Sequence, residues 1–204
     1  VSGGHTDLYR VSDFGHYKLM GRTRDDAAGE SFDKVGKMLG LSYPGGPAIE
    51  KMARNGNKKA HRFPRAYLEK GSLDFSFSGL KTSVRTFLQH RQKDANITLS
   101  DEDISACFQS AVIDVLVDKL ISACKKENIP RMVVAGGVAS NGALREAVNK
   151  EGQIYGIEAS FPDPIFCTDN AAMIACAGYY KFMQNQSLSA NIQALDAKAN
   201  LSFG

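Results

Sequence analysis

The stretch from Val133 to Arg145 (VVAGGVASNGALR) constrains the fold more than any other part of this chain. It has the pattern of a short buried strand, a tight turn at Gly136 and Gly137, and a helix that begins near Asn141. Such glycines let the backbone approach a ligand closely, and the first turn of a helix points unpaired N–H groups at it. The Asn141 amide can cap the helix and can also bind a ligand. An ordinary strand-to-helix connection of an α/β domain fits equally well, so both interpretations stay open.

The composition is that of a globular protein with one large domain or two small ones. The 204 residues carry a net charge of +3, which permits an anionic partner but is weaker than the basic character of a dedicated nucleic-acid binder. The four cysteines form no C-x-x-C pair and have no histidine at zinc-ligand spacing, which favours reduced thiols and a cytoplasmic protein. No apolar run approaches the roughly 18 residues that cross a bilayer, so we expect no membrane partner.

Regular patterns divide the chain into four regions. Residues 6–24 alternate as two short strands around a turn, which predicts an antiparallel hairpin. Residues 25–130 are predicted to be mainly helical, with a short strand at Leu73–Phe77 and a long apolar helix after Ser100 as the central packing element. Residues 131–185 alternate strands and helices, with a strand or extended segment expected at Ile154–Phe161, and residues 186–204 form a polar, peripheral tail.

Helix starts are predicted from capping residues. Small polar residues accept hydrogen bonds from the first N–H groups of a helix, and proline is favoured at the first helical position. We expect caps at Asp25 or Asp26, Ser78, Ser100, and Thr168 or Asp169, and Pro47 as the first residue of a helix.

Two charged stretches have an ordinary and a functional interpretation. Asp26, Glu30 and Asp33 share one face of a predicted helix, either as a solvated surface or as a cleft wall that accepts hydrogen bonds from ribose or reaches a cation. The second stretch, residues 58–65, which we call the basic loop, is either solvated or contacts an RNA phosphate backbone. Its candidate tRNA-contacting residues are Lys58, Lys59, Arg62 and Arg65.

Two glycine turns, Ser2–Thr6 and Gly136–Gly137, each follow a strand-like run. Together with the acidic face they suit a nucleotide, because backbone N–H groups can meet phosphates and a carboxylate can meet the ribose. The chain has neither a Walker A motif nor G-x-G-x-x-G. The sequence therefore predicts a nucleotide site of another type, assembled from separate segments across a cleft.

Seven blocks that span nearly the whole chain resemble, in the same order, the signatures of the TsaD family, also called Gcp or YgjD. They are Val1–Thr6 (VSGGHT), Asp25–Glu30 (DDAAGE), Phe32–Lys34 (FDK), Tyr43–Pro47 (YPGGP), Asp74–Thr82 (DFSFSGLKT), Gly136–Val138 (GGV) and Cys167–Asn170 (CTDN). The resemblance implies the two-lobed ASKHA fold of actin, Hsp70 and sugar kinases, here mostly its C-terminal lobe, as a helix-rich α/β structure with a small mixed sheet. It also implies transfer of a threonylcarbamoyl group from threonylcarbamoyl-adenylate to N6 of the adenosine next to the anticodon of ANN-decoding tRNAs, with TsaB and TsaE as partners.

The resemblance also implies roles for single residues. Val1, Ser2, Gly3 and Gly4 would contact the phosphate and carbamoyl end of the adenylate. Asp33 would bind the ribose hydroxyls, and Asn141 would hold the base or sugar. Gly46, Gly136 and Gly137 would lie against the nucleoside. Asp169 would be one ligand of a single catalytic metal, Fe²⁺ or Zn²⁺, acting as a Lewis acid on the threonylcarbamoyl group.

The chain departs from the family pattern in its histidines. The family's other metal ligands are two histidines of an H-x-x-x-H motif upstream of the Ser-Gly-Gly turn, and none of His5, His16, His61 and His90 has that spacing. We therefore expect these residues to be a C-terminal portion of a TsaD chain. We expect this portion to fold, to hold no metal tightly, and to be inactive by itself.

Other functions stay open at this stage. An ASKHA ATPase or kinase would hydrolyse ATP without tRNA. The glycoprotease of an older family name, O-sialoglycoprotein endopeptidase, would need a nucleophile–base pair that the sequence does not offer at readable spacing. A non-catalytic binding module would hold TsaB or form a homodimer.

Overall fold

The structure is a computed structural model that describes residues 1–184; the predicted peripheral tail lies outside the described residues. Helices dominate, as the sequence predicts for an α/β chain of this kind. The strands are β1 (Asp7–Asp13), β2 (His16–Arg22), β3 (Arg131–Val133) and β4 (Glu158–Ser160). The helices are α1 (Ala28–Met38), α2 (Gly45–Ala53), α3 (Ser78–Lys93), α4 (Asp101–Glu127), α5 (Gly142–Tyr155) and α6 (Ala171–Gln184), with short 3-10 turns at Gly137–Ser140 and Pro164–Phe166.

Helix α4 is the central packing element that the sequence predicts. It begins where the Ser100 hydroxyl accepts a hydrogen bond from the Asp103 N–H at 3.1 Å, and it ends at Asn128 in the left-handed conformation. Its apolar side chains are buried around much of its circumference, and it packs against α2, α3, α5 and β3. Phe108 of α4 meets Phe32 of α1 edge-to-face, with ring centroids 5.2 Å apart. The core is therefore built around α4.

The strands form two separate two-stranded sheets, so the small sheet content expected of this helix-rich fold is divided between two pairs of strands. β1 and β2 pair antiparallel as the predicted hairpin, and β3 and β4 pair parallel. β3 ends at Val133, which is 68% exposed, and only Met132 of its three residues is buried, so the strand is not the buried one that the sequence predicts. At Leu73–Phe77 the chain makes only an isolated bridge between Phe75 and Thr23, and no strand forms.

Several helices begin at other residues than the sequence predicts. α1 begins after Ala27 rather than at an aspartate cap, and α3 begins at Ser78 itself, preceded by Phe77. α2 begins at Gly45, two residues before Pro47. α6 is capped by Asn170, whose Oδ1 accepts from the Met173 N–H at 3.0 Å, and neither Thr168 nor Asp169 does so.

The end of the second sheet also differs from the prediction. α5 continues to Tyr155 and ends at Gly156 (φ +66°), so the strand or extended segment expected at Ile154–Phe161 shrinks to β4. None of the helices within residues 1–184 is both long and apolar enough to cross a membrane.

Candidate functional site

The first residues of the chain run between the start of α1 and the turn after β3. The Val1 amino group donates to the Ala135 carbonyl at 2.7 Å, and the Val1 carbonyl accepts from the Val138 N–H at 3.1 Å. The Ser2 carbonyl accepts from the Gly29 N–H at 3.1 Å. The two glycine turns that the sequence singles out are therefore neighbours in space.

Glycines at this junction fall into two groups. A Cβ on Gly136 would lie 2.4 Å from the Val1 carbonyl oxygen, and its φ of +95° also excludes other residues; a Cβ on Gly29 would lie 2.6 Å from the Ser2 carbonyl oxygen. These glycines are required by backbone packing. Gly3, Gly4 and Gly137 are exposed, and a Cβ on any of them would meet no atom of the described residues within 4 Å. We call these three residues the open glycine surface, because each is exposed and has open space where a side chain would stand.

Asp33 lies beside the start of α2. Its Oδ1 accepts a hydrogen bond from the Gly45 N–H at 2.7 Å, and within residues 1–184 its Oδ2 has no partner. A Cβ on Gly45 would lie 2.5 Å from the Phe32 carbonyl oxygen, so α1 and α2 touch through their backbones here. A Cβ on Gly46, the next residue, would meet nothing within 4 Å. Asp33 thus fixes α2 with one oxygen and has the other available to a ligand.

Asn141 joins α5 to α4. Its Oδ1 accepts from the Leu144 N–H at 2.9 Å, which confirms the predicted helix cap, and its Nδ2 donates to Oε1 of Gln109 at 2.8 Å. The residue is only 7% exposed. At the same helix start, the Gly142 N–H donates to Oε1 of Glu50 on α2 at 2.9 Å. The protein therefore uses both polar ends of the Asn141 amide, and the ligand role stays a prediction.

The predicted acidic face is divided among different partners. Asp26 precedes α1 and pairs with Lys34 at 2.8 Å and with Lys81 of α3 at 2.7 Å, while Glu30 pairs with Lys34 at 2.7 Å. Burial alone would raise the pKa of Asp26, but the hydrogen bonds and charges of the two lysines outweigh it and lower the pKa. The three carboxylates therefore do not form one wall, and only Asp33 has an oxygen left for a ligand.

Asp25 is a polar hub that the sequence prediction missed. Its carboxylate accepts from the Ser76 and Ser78 hydroxyls at 2.5 and 2.7 Å, and from the Phe77 and Ser78 N–H groups at 2.8 and 3.2 Å. These bonds satisfy the first N–H groups of α3 and overcome the effect of burial, so the pKa of Asp25 is lowered. The only sequence signal was that both partners, DDAAGE and FSFSGLKT, are family-like blocks.

Comparisons with known proteins identify the family of the chain. Residues 1–176 match the family model described as "TsaD: tRNA N6-adenosine threonylcarbamoyltransferase". The chain belongs to the TsaD family. A Clostridium perfringens relative is 47% identical over 204 residues, covering 100% of this chain and 59% of the relative, and a Clostridioides difficile relative is 49% identical over 196 residues, covering 96% and 57%. Both are named tRNA N6-adenosine threonylcarbamoyltransferase, and the chain, which spans less than two thirds of their length, matches their C-terminal portion.

Two solved structures share the fold of this TsaD-family chain. Full-length HypF in its phosphate- and nucleotide-bound form has a TM-score of 0.59 at 17% identity, covering 79% of this chain and 21% of HypF. HypF of T. kodakarensis has a TM-score of 0.57 at 13% identity, covering 82% and 21%. At these identities the likeness concerns the fold alone, and it is consistent with the ASKHA architecture that the resemblance implies.

The basic loop of the TsaD-family chain contains three exposed cations and one that is bound. Lys58, Lys59 and Arg62 are exposed. Arg65 donates to the Asp114 carboxylate through Nη2 at 2.6 Å and Nε at 3.0 Å, and a third N–H of its guanidinium donates to the Phe63 carbonyl at 2.7 Å. Arg65 therefore fastens the loop to α4, and the prediction of tRNA contact is carried by the other three.

The described residues do not make a metal site by themselves. Asp169 is exposed just before α6, and residues 1–184 contain no group of three or more His, Cys, Asp or Glu side chains placed to hold an ion. A single carboxylate falls short of the three or four protein ligands typical of zinc sites. The metal role of Asp169 remains a prediction from the family, and we derive no chemistry from it.

Proposed function

We propose that this chain supplies the nucleoside-binding part of a tRNA N6-adenosine threonylcarbamoyltransferase. The single observation that carries the proposal is the open glycine surface, which lies where the Val1–Gly4 loop, the start of α1 and the turn before α5 meet. Backbone N–H groups exposed at such a turn bind phosphate oxygens. The free oxygen of Asp33 is suited to accept from ribose hydroxyls. The HypF neighbour of the same fold was crystallised with phosphate and nucleotide, which supports a nucleotide here.

We further propose which part of the adenylate each segment holds. Val1, Ser2, Gly3 and Gly4 bind its phosphate and carbamoyl end. Gly46 lies against the nucleoside, and Gly136 and Gly137 lie under the base. Asn141 binds α4 and α5 through its side-chain amide, and its backbone N–H donates to the Val138 carbonyl of the Gly137–Ser140 turn beside the base.

The reaction then needs little from these residues beyond binding and orientation. N6 of the tRNA adenosine attacks the carbamoyl carbon of threonylcarbamoyl-adenylate. The new N–C bond forms as the bond from that carbon to the phosphate oxygen breaks, AMP leaves, and the amine gives up one proton to solvent. N–H groups of Gly3 and Gly4 stabilise the negative charge that develops on the departing phosphate.

Binding of AMP, the nucleotide product of this reaction, tests the proposal. We expect isothermal titration calorimetry of the 204-residue chain to detect AMP, and Gly137→Leu or Gly46→Leu to weaken binding at least about tenfold by filling the open space. Gly79→Leu is the matched control, because Gly79 is also exposed and a Cβ there also meets nothing within 4 Å. The proposal fails if the unsubstituted chain does not bind AMP, or if the three variants bind it equally.

Transfer itself is a property that we propose for the whole protein with TsaB, TsaE and tRNA. Mass spectrometry of nucleosides digested from an ANN-decoding tRNA measures the product. We expect modified adenosine with the whole protein and its partners, and none with residues 1–204 alone. Phosphate release from ATP in the absence of tRNA would instead support an ASKHA ATPase.

We also propose that Lys58, Lys59 and Arg62 contact the tRNA backbone. Each phosphate contact that is lost reduces the dependence of affinity on salt. Reversing the three charges to Glu is therefore expected to lower tRNA affinity and flatten its salt dependence. Lys126→Glu, an exposed lysine in the last turn of α4, is the control. Equal losses for the triple variant and the control would refute the assignment.

A further inference from the structure

The aromatic side chain of Tyr43 does not belong to the hydrophobic core. It is 85% exposed, more than any other large hydrophobic side chain in the part of the chain that the structure describes. It lies in the connection between α1 and α2, two residues before Gly45, whose N–H is bound by Asp33. The ring lines the same depression as Asp33, the proposed ribose-binding carboxylate.

The ring shares a shallow depression of about 260 Å³ with two lysines of α1. Lys34 is occupied by Asp26 and Glu30, which raise its pKa. Lys37, one turn further along, is exposed and forms no ion pair within residues 1–184. The depression thus combines an exposed aromatic ring and a cation that has no ion pair among the described residues with the edge of the nucleoside site. Its lining is Asp33, Lys34, Lys37, Leu41, Ser42, Tyr43 and Gly45.

We propose that Tyr43 stacks against an unpaired base of the tRNA anticodon loop while Lys37 contacts a neighbouring phosphate. This inference rests on the proposed function, since it names where the acceptor RNA meets that site. Proteins bind single-stranded RNA by stacking its splayed bases on aromatic rings, with cations along the backbone. An acceptor adenosine that reaches the adenylate must leave its own stack, so the bases beside it need a new partner. A ring on the outer rim of the site is placed to be that partner.

Fluorescence gives a direct test, because the chain contains no tryptophan. In the Tyr43→Trp variant the reporter is the sole tryptophan, and stacking of a base quenches its emission. We expect quenching on titration with an unmodified anticodon stem-loop of an ANN-decoding tRNA. Tyr155→Trp is the matched control: Tyr155 is 48% exposed and also lies beside a lysine, Lys125, but it occupies the opposite end of α5 from Asn141. Equal quenching of both reporters would overturn the inference.

Affinity measurements separate this inference from the proposed function. We expect Tyr43→Ala to weaken stem-loop binding about 5- to 140-fold, the equivalent of the 1–3 kcal/mol found for base–aromatic stacking. Tyr43→Phe keeps the ring and should bind within about twofold of the unsubstituted chain. AMP affinity should be unchanged in both variants. If Tyr43→Ala lowers AMP affinity and leaves RNA affinity intact, the ring belongs to the adenylate and the inference is wrong, while the proposed function stands. If the unsubstituted chain binds neither AMP nor the stem-loop, both are wrong.

Discussion

Replacement of Asn141 by Ala separates the structural role of this residue from its predicted ligand role. The change removes the cap of α5, which is typically worth about 1 kcal/mol. It also leaves Oε1 of Gln109, a residue only 8% exposed, without its donor, at a cost of about 1–3 kcal/mol. The two contributions together predict a loss of about 2–4 kcal/mol. For a chain of this length that corresponds to a fall in Tm of roughly 4–16 °C.

Asn141→Asp is the informative companion variant. Its carboxylate keeps the cap and suits the positive end of the helix dipole, and the Gln109 amide can turn to donate its Nε2 hydrogen. We expect Asn141→Asp to lie within about 1 kcal/mol of the unsubstituted chain, so that AMP binding can be compared in a folded protein. If AMP affinity also survives in this variant, the amide of Asn141 is not a nucleoside contact.

Urea unfolding followed by circular dichroism measures these free energies, with Ser140→Ala as the control. The neighbouring Ser140 side chain makes no hydrogen bond within residues 1–184, so its removal should cost little. A double-mutant cycle with Gln109→Leu should show a coupling of about 1 kcal/mol or more, because the two side chains are bonded directly. The reasoning is refuted if Asn141→Ala costs no more than Ser140→Ala, or if the cycle shows no coupling.

Three further predictions concern the rest of the chain. Arg65→Ala should lower the Tm by freeing the basic loop from α4, and it should leave the salt dependence of tRNA binding unchanged. Lys58→Ala should leave the Tm unchanged and weaken that salt dependence. Calorimetry measures the Tm, and binding at several salt concentrations measures the salt dependence. Gly56→Ala should be strongly destabilising because its Cβ would lie 2.0 Å from a backbone carbonyl oxygen of α4, while Gly79→Ala on exposed α3 should be neutral or stabilising; thermal unfolding measures both. Because the pKa of Asp25 is lowered on folding, its stabilisation should be full above about pH 4 and disappear as the pH falls through the folded-state pKa. Urea titrations between pH 7 and pH 3 should therefore show that the free energy of unfolding falls less in Asp25→Asn than in the unsubstituted chain. An equal fall in the two proteins would contradict the prediction.

Local rules predicted the parts of the fold that depend on neighbours in sequence. The Ser100 cap and the apolar run after it specify α4. Asp25 and Ser78 were predicted as caps and are not, because the two side chains bind each other across 53 positions. A single sequence records no such pairing, so propensity alone assigned each residue to its own helix.

Tertiary contacts that a single sequence does not record also decide which residues of the candidate site are available to a ligand. Motifs identified Asp33, Asn141 and Arg65 by residue type, but tertiary pairing decides whether their polar atoms are free: Asn141 and Arg65 are committed to protein partners, and Asp33 keeps one oxygen. Glycines have no side chain to be committed in this way. Whether a glycine is demanded by packing, like Gly136, or faces open space, like Gly137, is visible only in three dimensions. Open space alone does not assign a role, since Gly79 also has it, and for Gly137 the nucleotide contact is the role that we propose.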